Sequence, residues 1–379
     1  MSRKSDIFLV NVQRRKLSIY GDFFVERRSV ILIPAYDPPK NFCSYIQELI
    51  DEGFRDIIVV DDGSREEKSD LFSRAEEMGC TVFHHQSNRG KGMALKTGMR
   101  EYLETYSGKR DGLITVNSDG CDRISDIIKI SEELEKQNDR LRSKLVLGTR
   151  SFDSPYMTNE TRRGSRIAVL WFHYLFNARC SDVLCTLRGI PDRLVKVCMK
   201  YPERSYAYET SYLIGMKDFG YSEIPIELTE PNPDAETHFN LVWNTVLIFV
   251  VIFRKLIVFG ATSIFAACID IFLFWIFTAF LLKNVPYPII VSTFLARSVS
   301  ATFNYFLSRA LVFKSNESRR KSLRQFMALT AVQCSISAFT VHFLEMIIGG
   351  GAVRLKVAVD LALFFAAYKI QDKFIFKTK

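Results

Sequence analysis

Long apolar runs in the last third of the chain limit its architecture more than any other feature. A run over 256–282 is interrupted only by Asp270, and a run over 284–308 only by Arg297. Residues 325–344 contain no Asp, Glu, Lys or Arg, and the weaker run 352–376 carries Asp360. Since about 20 apolar residues cross a bilayer, the sequence predicts four membrane spans. The shorter apolar stretch 238–253 is predicted as a juxtamembrane helix at the interface, with a fifth span as the alternative.

The distribution of charge gives these runs an orientation. The chain of 379 residues has a net charge of +9, and its 25% of charged residues is ordinary for a soluble protein. Residues 238–379, however, contain 16 Lys and Arg against 5 Asp and Glu, whereas residues 1–237 contain 35 against 37. Positive charge beside apolar runs is typical of membrane topology and argues against a nucleic-acid partner. The basic loop at 314–324 predicts a multi-pass protein with both termini in the cytosol.

Two further patterns agree with a cytosolic N-terminal region. The eight cysteines show no CxxC and no Cys/His ligand spacing, which predicts reduced structural thiols. Residues 1–6 are polar, so we expect no cleavable signal peptide.

The apolar region also repeats itself. Residues 304–314 are echoed at 367–377, and residues 254–258 at 324–328, which predicts two helix hairpins of parallel topology. In this register Arg297 corresponds to Asp360, and the pair predicts either an intramembrane ion pair or part of a path for a lipid headgroup or sugar. Asn304, Arg309 and Phe313 fit the closing motif of GtrA-like membrane domains, so residues 254–377 resemble that family.

The first part of the chain alternates apolar strands with amphipathic stretches, which favours an α/β fold with a parallel sheet. Strands are predicted at 30–33, 57–60, 81–83, 113–116 and 145–147, and helices at 39–52, 66–78, 91–106 and 124–138. In such sheets a ligand binds beyond the carboxyl ends of the strands.

Polar motifs follow these strands at the predicted ligand-binding edge. They are Pro34-Ala35-Tyr36-Asp37, Asp61-Asp62-Gly63-Ser64, Asn88-Arg89-Gly90-Lys91-Gly92 and Asn117-Ser118-Asp119-Gly120. Carboxylates suit ribose hydroxyls or a divalent cation, and a basic, glycine-rich helix start suits phosphate. Neither GxGxxG after the first strand nor GxxxxGK[ST] is present, so dinucleotide and P-loop folds lose their main support. The combination predicts a site for a nucleotide diphosphate.

These motifs resemble glycosyltransferase family 2, in particular the polyprenyl-phosphate sugar transferases related to dolichyl-phosphate mannose synthase. The resemblance continues through Leu187-Arg188-Gly189 and Tyr208-Glu209. It implies a GT-A fold and an inverting transfer from a UDP- or GDP-linked sugar to a polyprenyl phosphate, in cell-envelope polysaccharide synthesis. The predicted organisation is an extension at 1–28, a GT-A domain at 29–237, the juxtamembrane helix at 238–253 and a GtrA-like domain of four helices at 254–379.

The resemblance also assigns roles to residues. Pro34, Ala35, Tyr36, Asp37, Asp61, Asp62 and Ser118 are expected around the nucleoside, and Arg89 and Lys91 at the diphosphate. Arg162 and Arg188 are candidates for gripping the acceptor phosphate or the leaving group, and Glu209 for orienting the sugar. The family's Asp-x-Asp reads Asn117-Ser118-Asp119 here, so Asp119 and Asn117 are expected to hold Mg²⁺ or Mn²⁺ at a weakened site, with Asp122 as an alternative ligand from nearby.

The sequence leaves other roles open. The altered metal motif fits a non-catalytic relative that acts as a binding or regulatory module. The membrane region fits a protein that translocates lipid-linked sugars. Membrane lipids are expected partners in each case, and a homo-oligomer stays open.

Overall fold

A computed structural model describes residues 26–137, 143–230, 241–282, 284–286, 288–348 and 352–376. The predicted extension at 1–28 lies outside these residues except for its last three. The chain divides into two compact units, Met1–Ile248 and Phe249–Lys379.

The first unit is built on a seven-stranded sheet. Its strands are β1 (Ser29–Ala35), β2 (Ile57–Asp61), β3 (Thr81–His84), β4 (Gly112–Thr115), β5 (Leu145–Arg150), β6 (Arg188–Pro191) and β7 (Tyr221–Ile226). Their order across the sheet is β3-β2-β1-β4-β6-β5-β7. The strands pair in parallel, except that β6 is antiparallel to both of its neighbours.

Seven helices connect the strands. They are α1 (Phe42–Asp51), α2 (Ser69–Glu77), α3 (Lys91–Glu101), α4 (Ile124–Gln137), α5 (Asn159–Phe176), α6 (Asp192–Cys198) and α7 (Ala207–Gly215). The aliphatic residues of β1 and β2 are buried, which explains why these strands read as continuous apolar runs rather than as alternating patterns. One core cluster joins them to α1 and α4.

The structure contains two strands that the sequence did not predict. β6 is the four residues Arg-Gly-Ile-Pro, a composition that disfavours a strand in isolation. It forms because it is inserted between β4 and β5, where Gly189 lets α4 approach: an added Cβ there would lie 2.6 Å from Cγ2 of Ile130. The predicted sheet is thus parallel in every strand pair except the two that involve β6.

The second unit is helical. Its helices are α8 (Leu241–Ile276), which begins in the first unit, α9 (Pro288–Leu307), α10 (Arg319–Ile348) and α11 (Ala352–Ile370). Because α8 is continuous through residue 253, the predicted juxtamembrane segment and first span form one helix. In the described part of the chain one helix, Trp243–Leu281, meets length and composition criteria for crossing a membrane, with a mean hydropathy of 2.4.

The internal repeat is visible in the backbone and in the packing. α9 ends in a π-helical turn at Ser308–Val312, and α11 ends in one at Gln371–Ile375. The rings of Phe313 and Phe376, which follow these turns, stack with centroids 4.9 Å apart. Tyr305 lies 5.8 Å from Phe376, and Tyr368 lies 5.9 Å from Phe313. The two copies thus exchange equivalent aromatic contacts about a local pseudo-two-fold relation.

The charged residues within the apolar runs pair differently from the prediction. Arg297 forms an ion pair with Asp270, its Nη2 atom 3.2 Å from Oδ2, so the predicted partner Asp360 is wrong. Ser300 also donates to Asp270, over 2.9 Å, whereas Asp360 accepts from Ser337 over 2.6 Å. Each carboxylate therefore joins the two helices of its own hairpin.

Candidate active site

A cavity of about 370 Å³ opens at the carboxyl ends of β1 and β4. All of its walls belong to the first unit. The lining residues are Pro34, Ala35, Tyr36, Asp37, Pro38, Pro39, Asp62, Asn88, Gly90, Lys91, Ala94, Asn117, Ser118, Asp119, Ser205, Tyr206 and Asn244. This is the sheet edge at which the sequence places the nucleotide, and most residues expected to bind it lie here.

The segment after β1 is tied to the turn after β2. Asp37 is buried, has a left-handed backbone with φ of 48°, and receives the backbone N–H and Nε of Arg65 over 2.8 and 2.9 Å. Its own N–H donates to Oγ of Ser64 over 2.9 Å. Because local contacts use the Asp37 carboxylate in this way, its main effect is to hold Tyr36 and the neighbouring prolines at the cavity wall.

The two carboxylates at the end of β2, Asp61 and Asp62, also hold backbone in place. Asp61 does not line the cavity; it accepts the N–H of Ser64 over 2.8 Å and contacts Nδ1 of His84 over 2.9 Å. Asp62 accepts the N–H groups of Arg89 and Gly90 over 3.0 and 2.8 Å.

Asp62 is further fixed by His85. Nδ1 of His85 lies 2.6 Å from an Asp62 oxygen, and Nε2 of His85 lies 3.0 Å from Oγ1 of Thr97. Asp62 thereby shapes the turn that leads into α3. Gly90 in this turn has φ of 92°, and an added Cβ would meet the carbonyl oxygen of Arg204 at 2.6 Å, so glycine is required there.

Lys91, the first residue of α3, places a largely buried cation on the cavity wall. Its Nζ lies 3.0 Å from Oδ1 of Asn117, 3.2 Å from Oε2 of Glu209 and 5.6 Å from the ring centroid of Tyr206. Burial by itself lowers the pKa of this ammonium, but the carboxylate of Glu209 and the nearby Tyr206 outweigh it and leave the pKa raised. Lys91 is therefore a permanent positive charge at neutral pH.

Glu209 lies behind Lys91 and does not line the cavity. Its side chain is buried, and its Oε1 atom has no hydrogen-bond partner among the described residues. Glu209 acts on the cavity through the ammonium that it holds, which makes it a positioning residue for Lys91.

The residues after β4 form a network around Asn117. The amide of Asn117 accepts from Lys91 and donates to Oγ1 of Thr186 over 2.8 Å, and its backbone N–H donates to Asp122 over 2.8 Å. Burial, together with the neighbouring charge of Asp119, raises the pKa of Asp122 to about 7 against the opposing hydrogen bond from Asn117. Asp119 and Ser118 line the cavity, and Asp119 accepts the N–H of Cys121 over 3.1 Å.

This donor set does not fit the predicted divalent cation held by Asp119 and Asn117. The Asn117 oxygen already faces a fixed positive charge, which disfavours a second cation at the same atom. Only Asp119 then offers a carboxylate, whereas Mg²⁺ and Mn²⁺ prefer several oxygen ligands. Among the described residues, no three His, Cys, Asp or Glu side chains come together in a metal-binding group.

The two arginines predicted to contact phosphate lie away from the cavity. The guanidinium of Arg188 is buried and donates to the carbonyls of Cys185, Val183 and Glu209. Arg162 donates to the carbonyls of Phe152, Ser154 and Met157. Both side chains stabilise loops in this structure. Arg89 contributes its backbone N–H to the Asp62 turn, and its side chain does not line the cavity.

Sequence reasoning missed the far wall of the cavity. Ser205 and Tyr206 reach it because the segment before α7 packs against α3, where Nζ of Lys96 donates to the carbonyl of Glu203 over 2.7 Å. No local motif signals this approach, since it is a tertiary contact between residues more than 100 positions apart.

Comparison with known proteins finds a matching family model in each unit. Residues 30–174 match the family model Glycosyl transferase family 2, and residues 258–376 match the model GtrA/DPMS, transmembrane domain. Together with the sheet, these matches confirm the predicted fold class, an α/β domain of GT-A type followed by a helical membrane region. The helical region differs from the predicted four simple spans in two respects: α8 is one continuous helix through the predicted juxtamembrane segment, and π-helical turns end α9 and α11.

Individual relatives are distant. Glycosyltransferase AglJ of Haloferax volcanii is 25% identical over 229 residues, which cover 59% of this chain and 71% of the relative. The UDP-N-acetylglucosamine–dolichyl-phosphate N-acetylglucosaminyltransferase of Methanococcus voltae is 23% identical over 218 residues, covering 52% and 84%. Glucosyl-3-phosphoglycerate synthase from Mycobacterium tuberculosis, solved with Mn²⁺, UDP and phosphoglyceric acid, superposes with a TM-score of 0.45 at 16% identity, covering 60% and 78%.

Proposed function

We propose that this chain, a membrane-associated glycosyltransferase of family 2 with a GtrA/DPMS transmembrane domain, transfers a sugar from a nucleotide-sugar donor to polyprenyl phosphate. The observation that carries the proposal is the Lys91 ammonium, fixed on the cavity wall between Asn117 and Glu209. A preorganised cation at this place suits a nucleoside diphosphate, whose negative charge grows as it departs.

The lining of the cavity supports one orientation of the donor. Tyr36 and the prolines at 38 and 39 provide apolar contact for the nucleoside. Asp119 can accept hydrogen bonds from the hydroxyl groups of the ribose or of the transferred sugar. The diphosphate then lies at the start of α3, where Lys91 and the positive end of the helix dipole meet it. Asp37 and Asp62 shape this wall through the contacts that already occupy their carboxylates.

Charge neutralisation is assigned to Lys91 because the donor atoms after β4 do not form the expected metal site. The acceptor phosphate is an anion near neutral pH, so attack requires in-line positioning more than a general base. One of its oxygens forms the bond to the anomeric carbon from the face opposite the leaving group. The bond from that carbon to the diphosphate oxygen breaks at the same time, the oxygen keeps the electron pair, and the configuration inverts.

The membrane unit supports the proposed acceptor and leaflet. Relatives named for dolichyl-phosphate transfer and the match to the GtrA/DPMS domain support a polyprenyl phosphate acceptor. Basic residues concentrated in the loop at 314–324 support a multi-pass topology with the transferase domain and both termini in the cytosol. The reaction would then use the cytosolic leaflet.

The test is an assay of lipid-linked product in membranes that contain the full chain. Radiolabelled UDP- and GDP-sugars are supplied with polyprenyl phosphate, in EDTA and in Mn²⁺, beside membranes without the protein. We expect organic-extractable product with one donor, and less than a twofold difference between EDTA and Mn²⁺. No product with any donor would overturn the transferase proposal and favour a binding module. Product that requires Mn²⁺ would overturn the assignment of charge neutralisation to Lys91.

A further inference from the structure

We propose that a second cavity, within the helical unit, binds the phosphate of a phosphorylated lipid headgroup. It has a volume of about 310 Å³ and lies where the π-helical turn after α9 leads towards α10. Three basic side chains, Arg309, Lys314 and Arg319, line it together with Phe306, Ser315 and Asn316. This inference does not depend on the transfer reaction proposed above.

The positive charge around this cavity is not matched by an ion-pair partner among the residues that the structure describes. The guanidinium of Arg309 donates to Tyr305 Oη over 3.3 Å, to Ser322 Oγ over 2.9 Å and to the carbonyl of Glu317, all of them neutral acceptors. In the described part of the chain, no carboxylate forms an ion pair with any of the three basic residues. Three like charges around one cavity repel one another. A bound anion offsets this repulsion because it attracts all three cations.

The backbone holds one of these charges in an uncommon conformation. Lys314 has φ of 46°, in the left-handed region that residues other than glycine seldom occupy. The next residue, Ser315, donates its N–H to the carbonyl of Arg309 over 3.2 Å, which closes the turn. Glycine would adopt this φ without strain. Steric fit of the turn alone therefore does not explain a lysine at this position.

The second copy of the repeat shows that the fold does not require an arginine at the position of Arg309. The position equivalent to Arg309 is Asp372, whose carboxylate lies 3.9 Å from Nζ of Lys255. The aromatic packing is nevertheless equivalent in the two copies, with Phe313 against Phe376. At this position one copy thus carries a carboxylate beside a lysine, whereas the other places an arginine on a cavity, and this asymmetry points to a ligand.

The chemistry of the lining selects the ligand class. Arginine and lysine side chains bind phosphate oxygens through charge-assisted hydrogen bonds. The half-exposed ring of Phe306 adds an apolar wall on one side, which suits the first carbons of a lipid chain. Basic residues beside membrane helices also attract anionic headgroups. A phosphorylated lipid satisfies all three features, whereas inorganic phosphate leaves the apolar wall unused.

Binding is tested with the purified full chain in nanodiscs made of phosphatidylcholine. Polyprenyl phosphate, phosphatidylglycerol and inorganic phosphate are the three probes, and bound probe is read by native mass spectrometry and by titration. We expect one of the two lipids to bind at least about 10-fold more tightly than inorganic phosphate, and the tighter lipid identifies the source of the phosphate. Equal binding of inorganic phosphate would overturn the assignment to a lipid.

Variants then locate the site. Lys314→Gln with Arg319→Gln removes two lining charges, and Arg320→Gln with Lys321→Gln removes two exposed charges that do not line the cavity. We expect the first pair to weaken lipid binding about 10-fold or more, and the control pair less than twofold. Equal weakening by both pairs, or by neither, contradicts a specific site. Lys314→Gly removes a charge at a backbone conformation that glycine favours, so it should weaken binding without lowering the melting temperature.

Discussion

The turns after β2 and β4 both bring acidic side chains to the edge of the sheet, but their partners differ. After β2, Asp61 and Asp62 accept backbone N–H groups and contact histidines. After β4, the amide of Asn117 meets the Lys91 ammonium, and Asp119 lines the cavity. The first turn is mainly architectural and the second lies next to the proposed chemistry. Acidic motifs of similar appearance can therefore have separate physical roles.

The largest effect is expected at Lys91. Lys91→Met removes the cation that faces the departing diphosphate, so we expect transfer to fall by about 100- to 1000-fold, the range seen when one preorganised electrostatic group is lost. Formation of lipid-linked product measures this. Lys136→Met, an exposed change on α4, serves as the control and should leave transfer unchanged.

Loss of the ammonium also leaves Glu209 buried without its partner, which destabilises the fold. The double variant Lys91→Met with Glu209→Gln neutralises both charges, and we expect it to melt close to the wild type while remaining inactive. Transfer within threefold of wild type in this double variant contradicts the assigned role of Lys91.

The comparison of the two turns predicts that Asp62 matters more for stability than Asp61. Asp62→Ala leaves two backbone N–H groups and a buried histidine without their acceptor, so we expect about 2–4 kcal/mol of destabilisation. Asp61→Ala should cost about 1 kcal/mol, because its histidine partner is half exposed. Shifts in the melting temperature of the full chain measure both. A larger shift for Asp61 than for Asp62 contradicts the architectural role given to Asp62.

Much of this edge was predictable because it depends on local pattern and on topology. β1 and β2 are apolar runs, and the carboxyl ends of parallel strands meet at one edge, so Tyr36, Asp62 and Asn117 could be placed together. The contact between Lys91 and Glu209 could not, because it depends on how α7 packs against α3. Arg188 was assigned to phosphate by resemblance, and only burial shows that its guanidinium binds carbonyls instead. Sequence position identifies such a residue without revealing which way it faces.

The second turn should also respond to pH through Asp122. Burial raises its pKa from 3.8 to about 7 in the folded chain, so the folded state binds more protons than the unfolded state between these values. The contribution of protonated Asp122 to stability is therefore fully present below about pH 4 and is lost as the pH rises through 7. Over this range the free energy of unfolding falls by up to about 1.4 kcal/mol per pH unit. Asp122→Asn removes the titration. We expect its melting temperature relative to wild type, measured in EDTA, to rise from pH 5 to pH 8; a constant difference contradicts the raised pKa.

The smallest expected effect tests whether the Lys91 ammonium or a metal ion provides the positive charge next to the turn after β4. Asn117→Asp adds a carboxylate beside Asp119, and two carboxylates form a better site for a divalent cation than one. We expect Mn²⁺ to stimulate transfer at least about threefold in this variant but less than twofold in the wild type. A threefold stimulation corresponds to a lowering of the activation free energy by about 0.6 kcal/mol. Asn88→Asp makes the same change elsewhere on the cavity wall and should leave the Mn²⁺ response unchanged. Equal stimulation of wild type and Asn117→Asp by Mn²⁺ would contradict this expectation. It would show that the hydrogen bond between Asn117 and Lys91 does not keep Mn²⁺ away from the site.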